Sequence, residues 1–274
     1  MSGIPAALAA SLLWGVGDFT AGRLSRTHPV LLVALVGQVA GLLVLLAIAA
    51  FRGLNAGAFL PGALAGLAGV ASVLSFYRAL ALGTMSVVAP IGATSVIVPV
   101  AWSVAEDQRP SALQWAGMVA ALAGVALATR EPGGGAPSRD ARAALRLAVV
   151  AAITIGLSLV AFDKAGEHDA LSGITAARVV SVTLLSTIAL VQRPRTSARA
   201  LPKLAAVGLL DTGANTAFAI ATTGGLLALV AVLGGLYPIV TSALAYLLLG
   251  ERLTRHQRIG VVIALIGIPL ISAG

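Results

Sequence analysis

The chain consists largely of uninterrupted apolar runs of about twenty residues, the length an α-helix needs to cross a bilayer's hydrocarbon core. Ten such runs can be read: Ile4–Gly22, Pro29–Phe51, Pro61–Leu82, Thr84–Ala105, Ser111–Ala128, Ala143–Phe162, Leu171–Val191, Leu201–Thr222, Leu226–Leu249 and Thr254–Ser272. A closed β-barrel would also satisfy its backbone in lipid, but its strands alternate in polarity with period two. These runs do not alternate, so the expected class is an all-α membrane protein with ten transmembrane helices. The mean hydropathy of +0.99 and a charged fraction of 10%, against about 25% in soluble domains, agree with that. The first run lacks a basic leader and continues past Trp14 and Asp18, so it reads as a span rather than a signal peptide.

Several function classes drop out early. The net charge of +8 would fit nucleic acid, but Lys and Arg lie mainly in short loops beside apolar runs, where topology signals sit. No basic stripe interleaved with aromatics is present. The chain has no cysteine, which removes disulfides, thiolate nucleophiles and thiolate metal sites. His28, His168 and His256 fall in expected loops, without metal-ligand spacing. The Gly133–Gly135 triplet is not followed by the Lys-Ser/Thr of a phosphate loop. No enzyme, metal or cofactor is expected.

The polar segment "EPGGGAPSRDAR", Glu131–Arg142, divides the runs five and five. The expected organisation is a first repeat over 1–129, a linker over 130–142 and a second repeat over 143–274. The halves echo each other: "QRPSALQWAGMVAALAG" (Gln108–Gly124) aligns without gaps on "ERLTRHQRIGVVIALIG" (Glu251–Gly267). "FYRALALG" (Phe76–Gly83) aligns on "FAIATTGG" (Phe218–Gly225), and Gln38 falls opposite Arg178. An odd number of spans per half forces the second half to enter the membrane upside down. Inverted repeats of this kind place a solute site near the midplane, at their interface.

These features, with "LLWGVGDF" in the first run, "FYRALALGTMSVVAPI" across the third and fourth, and "LYPIVTSALAYLLLGERLTRHQRIGVVIALIG" across the last two, resemble the drug/metabolite transporter superfamily, in its EamA-type ten-helix form. The likeness covers nearly the whole chain. One departure stands out: the second half reads Gly250-Glu251-Arg252 where the first reads Asp107-Gln108-Arg109. If that glutamate serves a helix end, the first half lacks it or uses Glu106 or Asp107.

Charges at mid-span cost at least ~2.5–3.5 kcal/mol on insertion scales and so face protein or water. Asp18, Arg78, Arg178 and Asp211 are such charges. They either line an aqueous cavity or form buried Asp–Arg pairs, with Arg78 or Arg178 opposing Asp211. Asp211, Asn215, Phe218 and Thr222 share one helical face. Asn215 offers donors and an acceptor, suited to a zwitterion or to an interhelical hydrogen bond. Trp14, Tyr77 and Tyr237 stand at motif positions and can stack on a substrate. Trp102, Trp115 and Tyr246 read as interface or packing residues. The candidate substrate-binding set is therefore Trp14, Asp18, Tyr77, Arg78, Asp211, Asn215, Phe218 and Tyr237.

Pro90 and Pro99 interrupt the fourth run and Pro238 the ninth. Proline removes a backbone donor and kinks a helix, so Pro90, Pro99 and Pro238, with Arg178, are the candidate gating or structural residues. Gly92, Gly234 and Gly235 nearby permit close helix approach.

Loops after odd-numbered spans carry most of the loop Lys and Arg, among them Arg23, Arg26, Arg142, Arg193 and Arg252, while those after even-numbered spans hold Arg52, Arg109 and Lys164. The positive-inside rule then puts the odd loops in the cytoplasm and both termini outside. The resemblance implies both termini inside. It also implies a multi-pass protein of the plasma or inner membrane that exports an amino acid or related compound by alternating access. With no ATP-binding signature, a gradient or exchange must drive it, and Asp18 and Asp211 are candidates for carrying protons. The alternatives are a uniporter or exchanger of a neutral solute and a non-transporting scaffold. The partners are a small-molecule substrate and the bilayer; monomer and homodimer stay open.

Overall fold

A computed structural model describes residues 3–98, 101–102, 111–128, 138–224 and 234–273. Among them the chain forms ten α-helices: α1 (Gly3–Ser25), α2 (Val30–Arg52), α3 (Phe59–Leu82), α4 (Met85–Ala93), α5 (Ala112–Ala128), α6 (Arg139–Gly166), α7 (Ala170–Gln192), α8 (Leu201–Gly224), α9 (Tyr237–Leu249) and α10 (Arg255–Ala273). Five of them (α1, α2, α3, α6 and α7) are long and apolar enough to cross a membrane on those grounds alone. Their outward residues include Phe51, Leu190 and Val191, all more than 70% exposed. Hydrocarbon tails are as apolar as these side chains, so what holds the helices together is close packing and hydrogen bonding.

Local sequence explains the ends. "SALQ" opens α5 as a capping box, with Ser111 N–H donating to Gln114 Oε1 (2.9 Å) and Gln114 N–H to Ser111 Oγ (3.2 Å). "TRHQ" repeats it before α10, Thr254 N–H to Gln257 Oε1 (3.1 Å) and Gln257 N–H to Thr254 Oγ1 (3.3 Å). Each box satisfies backbone donors that a helix start otherwise leaves unpaired. The sixth helix begins at Arg139, four residues before the expected span, because Ser138 Oγ accepts the Ala141 N–H (3.1 Å) and Asp140 sits in the first turn. His256 lies in the first turn of α10, where a loop was expected. The capping box at Thr254 starts the helix ahead of it.

Helix pairings between the halves occur twice, once in each direction. α1 packs on α8 as α6 packs on α3, and α2 on α8 as α7 on α3. The matches extend to single residues. A Cβ built on Gly124 would sit 2.6 Å from the Gly260 carbonyl, and one on Gly267 2.7 Å from the Gly117 carbonyl. Gly124 and Gly267, like Gly117 and Gly260, are aligned positions in the two halves. As α5 runs from Gly117 to Gly124 its neighbours on α10 run from Gly267 back to Gly260, so the equivalent helices are antiparallel and the second half is inverted. Likewise the Phe76 ring lies where a side chain at Gly92 would go, and the Phe218 ring where one at Gly234 would go.

The buried core knits both halves, with Phe19, Val33, Phe76, Leu80, Met85 and Leu204 in one cluster. α4 runs through Pro90 and passes at Thr94–Val96 into a tighter 3-10 turn. α9 begins at Tyr237 with Pro238 in its first turn. Gly234 is helical and Gly235–Leu236 form a turn, so the expected ninth run is broken just before Pro238, which opens the helix that follows at a position where no N–H is needed. Pro99 lies outside the described residues, as do Glu106 and Asp107.

Candidate functional site

Four polar side chains from three helices form one connected cluster. Arg178 on α7 donates through Nη1 to Gln38 Oε1 on α2, and through Nη2 to Asp211 Oδ2 on α8. One turn along α8, Asn215 Nδ2 donates to the Asp211 carbonyl (2.8 Å) and to its Oδ2 (3.2 Å). The Arg178 side chain is 9% exposed and that of Asp211 32% exposed. The pair thus runs from closed protein interior to an open side. Arg178 is planar and forked, which lets it hold an amide oxygen and a carboxylate together.

Beyond the open side lie Asp18 and the aromatics. Asp18 is within electrostatic reach of Asp211, Tyr77 and Tyr237. Among the described residues no hydrogen bond or ion pair engages its carboxylate. Trp14 sits one turn before Asp18 on the same face of α1. Its ring centroid is 5.5 Å from that of Phe218 and 6.4 Å from that of Tyr237, tilted against the first and edge-on to the second. Asp18, Asn215, Trp14, Phe218 and Tyr237 are all half-buried, whereas Tyr77 is buried. Charges at mid-helix depth that keep partial exposure face water, because hydrocarbon contact is costly. The open side of the Arg178–Asp211 pair, among α1, α8 and α9, is the candidate solute recess. Thr241 Oγ1 on α9 donates to the Gly15 carbonyl on α1 (3.1 Å), fixing that wall.

The expected residues do not all converge. Arg78 is exposed and turns away from its buried neighbour Tyr77; the partner of Asp211 is Arg178. Both hydrogen bonds from Asn215 Nδ2 go to Asp211. Trp102, Trp115 and Tyr246 are exposed at the periphery. A groove of about 370 Å³ between α2 and α8, lined by Val44, Ile48, Leu209 and Thr216, is almost wholly apolar and separate from the polar cluster. Among the described residues no group of His, Asp and Glu is placed to hold a metal.

The recess has no charged counterpart in the other half. The contacts that match Gly15 with Gly156 and Gly234 with Gly92 set Leu159 against Asp18, Ile155 against Trp14 and Ser95 against Tyr237. Gly69 stands against Asp211. The scaffold is symmetric and the chemistry is not.

Two polar residues matter more than their sequence context indicated. Gln38 completes the Arg178 cluster, and its alignment opposite Arg178 was the available signal. Glu251 lies at one end of the bundle. Its Oε1 accepts from Met85 N–H (3.1 Å) and Arg26 Nη2 (3.3 Å), its Oε2 from Ser86 N–H and Oγ (both 3.1 Å). The glutamate does serve a helix end, that of α4 in the opposite half. Gly250, at φ 66°, ends α9 in the left-handed conformation and turns the chain toward it.

A family model described as the EamA-like transporter family matches residues 1–130 and again 142–273. No curated protein matches in sequence. One solved crystal structure, described only as that of a protein, is similar at 16% identity and a TM-score of 0.65, covering 98% of this chain and 96% of its own. That likeness concerns the fold.

Proposed function

The chain belongs to the EamA-like transporter family, an integral multi-pass membrane family of the drug/metabolite transporter type, and on that premise we propose that the recess beside Arg178 and Asp211 is its solute site. A small polar or amphipathic metabolite would bind there, with amino acids and related compounds the first class to examine. Trp14, Tyr77, Phe218 and Tyr237 supply apolar surface, and Asp18, Asp211 and Asn215 supply polar contacts. The observation that carries the reading is the Asp18 carboxylate, half-buried and without a partner among the described residues. An unpaired intramembrane charge is a costly feature that a purely structural role does not need. Movement of the halves about their interface would expose the recess to each side in turn. Asp18 is the proposed proton carrier when the gradient drives transport.

A second reading, exchange of a neutral solute, has its own support, because Arg178 and Asp211 neutralise each other. Counterflow in proteoliposomes with a panel of labelled solutes decides between the two. Accumulation above empty liposomes, made pH-independent by Asp18→Asn, supports the coupled transporter. Flux that ignores both pH and this substitution supports neutral exchange. Absence of flux for every solute overturns both.

A further inference from the structure

We infer that the edge of the bundle formed by α3 and α7 binds an anionic phospholipid, its headgroup phosphate held by Arg78 and Arg193 and its chains laid along α3. The site is separate from the solute recess and goes beyond the transport reading. It starts from an arginine that the recess does not use. On α3, Leu60, Leu64, Leu67 and Arg78 are all exposed and recur at helical spacing, so they form one outward stripe. On a helix long and apolar enough to cross a membrane, that stripe faces lipid. Arg78 stands one turn short of the helix end at Leu82, about 6 Å along the axis at 1.5 Å per residue. It belongs to no loop, so a topology signal does not account for it. Its stem is long enough to carry the guanidinium to headgroup level, and there it needs an anion.

The second cation comes from α7. A Cβ on Gly62 would lie 2.5 Å from the Gly173 carbonyl, and one on Gly66 2.5 Å from the Ala177 carbonyl. The two helices therefore run side by side in one direction. Farther along, Leu74 and Ala189 pack against the same group of buried residues. That register puts Arg78 level with Ala189, and Arg193, which ends α7, one turn beyond. Arg193 holds φ at 47°, the one non-glycine residue in the left-handed region among those described. Glycine suits such a position better, yet an exposed guanidinium stands there. Neither arginine side chain has a hydrogen-bond or ion-pair partner among the described residues. Two guanidinium groups at one end of neighbouring helices, above an apolar stripe, match a phosphate that carries acyl chains. A zwitterionic lipid brings its own ammonium group, which the two arginines repel.

The test offers the full-length protein, in a neutral detergent, equal amounts of phosphatidylglycerol and phosphatidylcholine with identical chains. Native mass spectrometry counts what is retained. Phosphatidylglycerol should be preferred about twentyfold, roughly fivefold from each arginine. Arg78→Leu and Arg193→Gly should each lower the preference by about fivefold, and the double variant should show none. Arg78→Lys keeps the charge and should retain most of it. Arg78→Leu extends the leucine stripe, and Arg193→Gly suits the left-handed backbone. Neither should therefore lower the unfolding temperature in lipid-free detergent, which keeps lost binding apart from lost folding. Arg255→Gln removes an exposed cation at the same end, on α10, and should leave the preference intact. No preference in the parent chain overturns the proposal, as does an equal loss with Arg255→Gln, the mark of diffuse surface charge. So does displacement of the lipid by glycerol phosphate, which would make the ligand a free phosphate ester. An unchanged preference in both variants, with a lower unfolding temperature, also overturns it and makes the arginines structural.

Discussion

Gln38 and Arg178 occupy matching positions in the two halves, and in the folded chain the Arg178 guanidinium donates to the Gln38 side-chain oxygen. In a structure built from inverted halves, a residue can touch its own counterpart only beside the axis that relates them. The α2–α7 crossing therefore lies on that axis, and the Arg178–Asp211 pair is anchored beside it. Asp18, unpaired among the described residues, stands off the axis, on one side.

Removing one member of the axial pair should be worse than removing both. Arg178→Met leaves the Asp211 carboxylate uncompensated, at a cost of about 3 kcal/mol, the low end for a broken buried pair because Asp211 is one-third open. Combining it with Asp211→Leu should recover most of the loss, since apolar replacement of a whole buried pair is often neutral. Thermal unfolding of the four proteins in one detergent measures the coupling. A double variant as unstable as Arg178→Met would show that the cost lies in losing Arg178 itself and not in an uncompensated Asp211 carboxylate.

Close approach of α5 and α10 should make Gly124 and Gly267 equally intolerant of a side chain. In both cases an added Cβ meets backbone of the opposing helix, under 3 Å away, and backbone cannot rotate aside. Gly124→Ala and Gly267→Ala should each cost about 1–3 kcal/mol through overpacking. Gly166→Ala, where nothing lies within 4 Å of the new Cβ, should be nearly neutral. Unequal costs for the two packed sites would mean that the symmetry does not extend to energetics.

Much of this was legible in the sequence because membrane insertion imposes a length and a polarity on each span. Ten runs, an inverted duplication and the Gln38–Arg178 match all follow from one-dimensional pattern. Whether Asp211 pairs with Arg78 or Arg178 did not follow, because both arginines sit in apolar runs and only packing decides which faces inward. Tyr77 and Arg78 show the limit: adjacent in sequence, they point to opposite environments. The role of Glu251 was half visible. Its place after Gly250 marked a helix end, but its partner is α4, far away in the chain.

Glu251 should matter to stability more than an exposed loop carboxylate does. It receives two backbone N–H groups at the start of α4, the Ser86 hydroxyl and the Arg26 guanidinium, and its charge lies at the positive end of a helix. Glu251→Ala should cost about 1–2 kcal/mol, the range of a lost N-cap. Glu251→Gln keeps the acceptor Oε1 but loses the charge, and should cost less. Arg26→Ala should cost least, because that ion pair is one-third exposed on the arginine side. Thermal unfolding that ranks the three differently would contradict this assignment.

Asp169 gives the fold a defined acid sensitivity at the opposite end. It caps α7 by accepting the Leu171 N–H (3.3 Å), and also binds the Ser172 hydroxyl (2.8 Å) and Arg52 (3.1 Å). Partial burial pushes its carboxyl upward, but the Ser172 bond, the Arg52 charge and the backbone bond together outweigh it and hold the group below the ordinary aspartate value. The unfolded chain therefore binds this proton more readily, and stability falls with pH once that proton is taken up. The contribution is complete above about pH 5 and disappears as pH drops below about 4, the ordinary aspartate range. Arg52 is more than half exposed, so the ion pair adds only a few tenths of a kcal/mol, and the cap supplies most of an expected total of about 1 kcal/mol. The gap in unfolding temperature between the parent chain and Asp169→Ala should thus be constant from pH 8 to about pH 5 and narrow at about pH 3 to 4. A gap that stays unchanged down to the acid limit would mean that hydrogen bonds of the protonated carboxyl, and not its charge, maintain the cap.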